Sequence, residues 1–254
     1  AIIQGISGVG KSTLAVQYAK ENFDIVKQIH HIDSEEKIYE AYFGLAQELG
    51  LELKRPQSTE AWEVLIARVN SELKKMVNSG QEIVLILDHL ASTQVYLAIK
   101  SLIDNLRLNK VAVLITTQAQ LTLGEEYAHK VSLTEFNPHE AQAYLASNIL
   151  SLTEEETLRL LKATAQHTQR LPQVLAMISA YFNTHPHITA DKYLMLYKQA
   201  EQLGKDYPGG IEPAHKLLLD DMLKSYPEVW ELLAYLAYLE AGVVPNDLLE
   251  DLFD

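Results

Sequence analysis

The sequence predicts an α/β fold: a parallel sheet covered on both faces, followed by a part built of helices. Three observations predict it. An apolar Ile2-Ile3 runs into the glycine-rich Gly5-Ile6-Ser7-Gly8-Val9-Gly10 and on into Leu14-Ala15-x-x-Tyr18-Ala19, which reads as strand, tight turn and helix. Ile83 to Leu87 and Val111 to Ile115 are each five consecutive apolar residues, the pattern of strands buried on both sides. Past Asn137 the strand pattern stops and helix start signals follow one another.

In chain order, the first turn carries the chemistry. Gly5 to Thr13 fits G-x-x-x-x-G-K-[ST], the phosphate-binding P-loop, in the strand–turn–helix context that its mechanism requires. Glycines at 5, 8 and 10 let the backbone curl with φ > 0, so that the N–H groups of Gly5, Gly8, Val9 and Gly10 surround phosphate oxygens. A helix beginning near Lys11 adds unpaired N–H groups and the positive end of its dipole. The Lys11 ammonium reaches the β- and γ-phosphates, the Ser12 hydroxyl is a Mg²⁺ ligand, and Thr13 is placed for the α-phosphate.

Ile25 to Ile32 is expected as a second strand, with Asp33 and Glu36 as a capping box for a helix bearing Ile38, Tyr42, Leu45 and Leu49. After Pro56 a helix carries Trp62, Leu65, Val69, Leu73 and Met76 on one face and ends near Asn78-Ser79-Gly80. The strand Ile83 to Leu87 then ends in Asp88, a carboxylate where open parallel sheets bind ligands. Asp88 is therefore the Walker B candidate, holding Mg²⁺ from the side opposite Ser12. His89 follows it, where many P-loop ATPases carry an acidic residue that polarises the attacking water, so no general base is assigned and slow hydrolysis is expected.

A helix from about Val95 to Leu106 leads to the strand Val111 to Ile115, which ends in Thr116-Thr117-Gln118. Those polar groups are either a γ-phosphate sensor or a plain turn, and the residues alone leave both readings open. Val131 to Leu133 closes the α/β part. Then come Asn137-Pro138-x-Glu140, Thr153-x-x-Glu156 and Leu171-Pro172, opening helices over Glu140 to Ile149, Glu155 to His167 and Pro172 to Phe182, with a fourth from Ala190 to Leu203. The Tyr207 to Pro213 loop marks a further boundary, followed by helices at Leu217 to Lys224 and Glu228 to Leu239.

These motifs, in this order, resemble the NB-ARC module of the STAND class of P-loop NTPases, and the resemblance covers nearly the whole chain. Leu114-Ile115-Thr116-Thr117 is similar to its "L-I-T-T-R" sensor, Arg170-Leu171-Pro172-Gln173 to its "G-L-P-L" motif, and Trp230 to Ala237 to its "a-x-x-L-L-x-x-L-A" helix. The resemblance implies a P-loop nucleotide-binding domain over 1–136, a helical lid domain over 137–206 and the start of a winged-helix domain over 207–254. It implies that Thr117 binds nucleotide as part of that sensor, beside the position of the family's γ-phosphate-contacting Arg, and that Pro172 packs near adenine and ribose. The implied activity is an ATP/ADP-dependent signalling switch with Mg²⁺, working with flanking sensor and effector regions and forming homo-oligomers when ATP is bound. Gln118 stands in place of the family's Arg, Arg170 and Gln173 in place of its Gly and Leu, and His89 in place of its acidic residue. Lys11, Asp88 and His89 are thus the candidate catalytic set, and an ADP-locked scaffold is the competing reading.

Composition bounds the partners. A net charge of −13, with 34 acidic against 21 basic residues, argues against a nucleic-acid backbone. From Pro213 to Asp254 there are nine acidic and two basic residues, a poor face for a DNA reader. A small-molecule kinase would need lid arginines, and Arg170 alone is thin support. No cysteine is present, so disulfides and thiolate metal sites are impossible and a cytoplasmic setting is expected. The apolar runs are too short for a membrane span, and a chain opening at Ala1 inside the first strand reads as a fragment of a longer protein. His30-His31 point to opposite faces of a strand and read as ordinary strand histidines; His185-Pro186-His187 reads as a solvated turn, and Tyr235-x-x-Tyr238 as core packing.

Overall fold

A computed structural model of the chain describes residues 1–30, 32–51, 54–121, 129–168, 170–204 and 213–236. The chain forms two compact units, Ala1–Thr134 and Glu135–Asp254. The first contains β1 (Ile2–Gln4), α1 (Lys11–Asn22), β2 (Ile25–His30), α2 (Glu35–Glu48), α3 (Thr59–Asn78), β3 (Ile83–Leu90), α4 (Thr93–Ala98), α5 (Lys100–Leu108), β4 (Ala112–Thr117) and β5 (Lys130–Ser132). Its strands form one sheet in the order β2-β3-β4-β1-β5, with every pairing parallel.

The period-two alternation of the strands sorts their side chains between two cores. Ile3, Val84, Ile86 and Leu114 pack with Ala15 and Ala19 of α1. Their neighbours Ile2, Ile83, Leu85, Leu87, Val113 and Ile115 face the other way, onto Ile38 and Tyr42 of α2, Leu65, Val69 and Leu73 of α3 and Ile103 of α5. Both faces of β3 are thus covered, which is why its apolar run is unbroken. Each such buried Ile or Leu contributes roughly 1.5–3 kcal/mol relative to exposure.

The order of strands has a consequence for the site: β4 lies between β1, which leads into the P-loop, and β3, which carries Asp88. The C-terminal end of β4 is therefore wedged between the two halves of any phosphate and metal site there.

Several boundaries differ from those expected. Ser34, not Asp33, caps α2, its hydroxyl accepting from the Lys37 N–H at 3.4 Å. The helix expected from Val95 to Leu106 is two, divided at Ile99. Thr116 and Thr117 lie inside β4 rather than beyond it. Strand β3 continues past Asp88 to Leu90 through an irregularity between Leu87 and Leu90, where His89 takes φ 61°. His31 and residues 122–128 lie outside the described residues.

The second unit contains α6 (Pro138–Asn148), α7 (Glu154–Thr168), α8 (Pro172–Thr184), α9 (Ala190–Gly204), α10 (Pro213–Ser225) and α11 (Val229–Leu236). Asn137 and Glu140 form the reciprocal capping box of α6, and Thr153 and Glu156 bond in the same reciprocal way before α7. Leu145, Leu161, Leu175, Ile178 and Tyr193 share one core with Ala214 and Leu217, so α10 packs with the four helices before it. Arg170 adopts φ 48°, the left-handed region, at the position of the family's glycine. Its side chain holds that turn, Nε donating to Phe136 O at 2.9 Å and Nη2 to Glu135 at 2.5 Å. Pro186 and His187 form an exposed turn as expected, but His185 before them stacks on Tyr181, and its Nε2 lies 3.1 Å from Asp221 of α10. The 207–212 loop, the Tyr238 end of the aromatic pair and the rest of the expected winged helix from 237 onward fall outside the described residues. Among the described residues no helix is long and apolar enough to cross a membrane.

Candidate functional site

The turn after β1 delivers Lys11, Ser12 and Thr13 as the first turn of α1. Gly10 is the N-cap at φ 93°, and no side chain caps the helix. Helix geometry leaves the N–H groups of that first turn without intrahelical partners, aimed out of the positive end of the dipole. Gly8, at φ 76°, also needs the left-handed region. Gly5 differs from the expectation, since it is not among the positive-φ residues. Its requirement is space: a Cβ there would lie 2.6 Å from Leu133 O and 2.9 Å from Val9 Cγ1, while its N–H donates to Thr117 O at 3.3 Å.

Lys11 folds back over the loop, its Nζ donating to Ile6 O at 2.8 Å. The side chain is only 7% exposed, and burial lowers its pKa against the opposing pull of the Asp88 charge. A cation whose partner is a neutral carbonyl gains a stronger, charge-assisted bond by exchanging it for a phosphate oxygen.

Asp88 is the centre of the site. The Ser12 hydroxyl donates to Oδ1 at 2.6 Å, and the Thr116 hydroxyl donates to the same oxygen at 2.6 Å. Oδ2 receives His30 Nδ1 at 3.1 Å and, more distantly, Gln28 Nε2 at 3.4 Å. Burial pushes the Asp88 carboxyl up, but the hydrogen bonds from Ser12, Thr116 and His30, together with the His30 charge, outweigh it and hold the group below the usual carboxylate range. Asp88 is thus an acceptor at neutral pH, presented at the mouth of α1.

Of the residues singled out by sequence, Lys11, Ser12 and Asp88 meet here, beside the backbone of Gly5 to Gly10. Thr13 is exposed on the first turn of α1. His89 is exposed, and its N–H donates to Thr116 Oγ1 at 2.9 Å. Thr117 is fully buried; its hydroxyl donates to Leu90 O at 2.7 Å and accepts from the Ala119 N–H at 3.0 Å, while Gln118 is exposed. Pro172 is the first residue of α8, in the second unit. Sequence reasoning missed the separate role of Thr116 and the contact of His30. Only the register of β2 on β3, which sets His30 opposite Asp88, brings that histidine in. A cavity of about 650 Å³ lies elsewhere, at the starts of β1, β4 and β5, lined by apolar residues such as Tyr18, Ile103 and Val113. It contains none of Lys11, Ser12 or Asp88.

The family model of the NB-ARC domain matches residues 1–170, about two thirds of the chain. The chain belongs to the NB-ARC family. As an NB-ARC module it is a P-loop unit of the STAND class, and the match spans the P-loop, Asp88 and the Thr116-Thr117 pair. A comparison with curated proteins finds no match. Similar solved structures include a Signal Transduction ATPase with Numerous Domains (STAND) protein with a tetratricopeptide repeat sensor from Pyrococcus horikoshii, at 22% identity and TM-score 0.45 over 70% of this chain. They also include C. elegans PCH-2, at 12% identity and TM-score 0.44 over 76% of this chain and 58% of that one. Drosophila ORC bound to DNA is a third, at 15% identity and TM-score 0.34 over 96% of this chain and 64% of that one. The chain spans 27% of the length of the Pyrococcus protein, and all three TM-scores lie below 0.5, so membership rests on the match over 1–170.

The donor set of the NB-ARC module fits a magnesium nucleotide. Ser12 and Asp88 supply a hydroxyl and a carboxylate, both hard oxygen donors, from two different elements. Among the described residues no group of three or more His, Cys, Asp or Glu could hold a metal. A small cation held by Ser12 and Asp88 would take the rest of its shell from water and phosphate oxygens, which is the habit of Mg²⁺.

Proposed function

We propose that this NB-ARC module is an adenine-nucleotide switch, binding ATP or ADP with Mg²⁺ at Gly5 to Thr13 and hydrolysing ATP slowly. The observation that carries the reading is the bond of Ser12 to Asp88 at the uncapped N-terminus of α1, which puts a metal-ligating pair beside a phosphate cradle. The loop N–H groups hold phosphate oxygens, Lys11 releases Ile6 O for the β- and γ-phosphates, and Ser12 and Asp88 orient the cation between them. Mg²⁺, when bound, neutralises phosphate charge and fixes the phosphate geometry.

The reading of slow turnover is supported by what surrounds the pair. His89 stands where a carboxylate would polarise the attacking water, and exposed Gln118 supplies no cation for a γ-phosphate. Binding without turnover suits a switch in which the nucleotide holds a larger protein in one arrangement and controls its assembly into homo-oligomers. The same two positions favour the rival reading of an ADP-locked scaffold. The roles of Thr117 as a sensor and of Pro172 at adenine and ribose, the helical lid and the winged helix rest on the family motifs. A cytoplasmic setting is supported by the absence of cysteine.

Nucleotide released by denaturing the purified chain is expected to be ATP or ADP. Single-turnover hydrolysis of labelled ATP is expected to be slower than about 1 s⁻¹ but measurable. No hydrolysis at all favours the scaffold, and turnover faster than that overturns the switch in favour of an ordinary enzyme.

A further inference from the structure

Asp88 is gripped from two sides, and the two grips differ in kind. Oδ1 takes the hydroxyls of Ser12 and Thr116, groups that belong to the nucleotide site itself. Oδ2 takes Gln28 and His30, which stand two residues apart on β2 and so share the α1 face of the sheet. In register, His30 lies opposite Asp88 and Gln28 opposite Ile86, while Ile29 between them packs into the opposite core with Leu87. Nothing in the P-loop or Walker B pattern calls for a histidine there.

We propose that His30 is a positioning residue of the metal site: its Nδ1–H fixes Oδ2 of Asp88 and thereby keeps Oδ1 turned toward Ser12. This rests on the reading of Asp88 as the carboxylate that holds Mg²⁺. An ionised carboxylate only accepts hydrogen bonds, so Nδ1 is the protonated nitrogen of this contact. The torsion of a carboxylate about its last bond is soft. Without the histidine, Oδ2 is left to the distant Gln28 and to water entering from the exposed edge, and the orientation of Oδ1 then depends on Ser12 and Thr116 alone. Gln28, at 3.4 Å, is too far to take over that role with comparable strength. Groups that orient a metal's carboxylate in this way typically change metal affinity 10- to 100-fold when removed.

His30 is on an edge strand with its side chain 49% exposed, so replacing it leaves both cores intact. The test is the gain in ATP affinity on adding Mg²⁺, measured by calorimetry in excess Mg²⁺ and in EDTA, for the wild-type chain, His30→Ala, His30→Asn, His30→Gln and Asp88→Asn. His30→Ala is expected to shrink the gain about tenfold, with affinity in EDTA unchanged. His30→Asn places an amide nitrogen at the position of Nδ1 and is expected to keep most of the gain, whereas His30→Gln places it one bond further out and is not. If Asp88→Asn loses the gain but His30→Ala keeps it, or if His30→Asn loses as much as His30→Ala, the positioning role is overturned while the nucleotide site stands. If Asp88→Asn itself keeps the gain, the assignment of Asp88 fails and the role of His30 goes with it.

Discussion

Ser12 and Asp88 are 76 residues apart in sequence, and the Ser12 hydroxyl donates to the Asp88 carboxylate at 2.6 Å. The bond joins the first turn of α1 to the end of β3 across β4, and Thr116 of β4 donates to the same oxygen. A hydroxyl and a carboxylate brought together from two elements would offer a cation two hard oxygen donors.

Lys11→Ala is expected to reduce ATP affinity at least tenfold, equivalent to roughly 1.4 kcal/mol. It removes a buried cation whose present partner is the Ile6 carbonyl. Calorimetry with unchanged affinity would exclude the Gly5 to Thr13 loop as the phosphate site.

Thr116→Val deletes a donor to Asp88 and leaves the His89 N–H without its acceptor. The Asp88 carboxyl, held below its usual range by donors including Thr116, should then protonate at higher pH. A carboxyl lowered on folding contributes stability above its unfolded pKa, and that stability is lost as pH falls through the folded value. The loss starts where the unfolded carboxyl protonates in both chains, so in Thr116→Val it should be smaller and complete at a higher pH than in wild type, with about 0.5–1.5 kcal/mol of destabilisation at neutral pH from the lost hydrogen bond to the His89 N–H. Carboxyl NMR titration of the metal-free chain and melting curves at acid pH measure both; an unshifted Asp88 midpoint counts against the Thr116 bond.

Gly5→Ala drives a Cβ to 2.6 Å from Leu133 O, a backbone atom that cannot swing aside. Destabilisation of about 1–3 kcal/mol is expected. Gly10→Ala meets no atom within 4 Å and is strained only by its φ of 93°, at a cost of about 1–2 kcal/mol. Thermal unfolding that shows Gly5→Ala as stable as wild type would contradict the packing at Leu133.

At Arg170 the backbone prefers glycine and the side chain makes two bonds, to Phe136 O and Glu135. Arg170→Ala loses the bonds and keeps the strain, whereas Arg170→Gly loses the bonds and relieves it. Arg170→Gly should therefore be the more stable of the two by about 1 kcal/mol. Equal melting temperatures would show that the left-handed turn is not strained.

Residues alone determined the parallel α/β unit, because the five-residue apolar runs of β3 and β4 admit little else, and because strand, glycine turn and helix appear in immediate succession at Gly5 to Thr13. They also determined Lys11, Ser12 and Asp88 as candidates, since the P-loop is a local motif and Asp88 directly follows a five-residue apolar run. The capping boxes at Asn137 and Thr153 were legible for the same reason, their partners being three residues away. Tertiary structure decided the rest. Strand order cannot be read from strand sequences, and it is the placing of β4 between β1 and β3 that puts Thr116 on Asp88 and buries the Thr117 hydroxyl. Register likewise set His30 beside Asp88, and the packing of α10 on α8 set Asp221 beside His185. Such contacts join residues 27 to 58 positions apart, and a side chain's sequence neighbours hold no record of what the fold will bring against it.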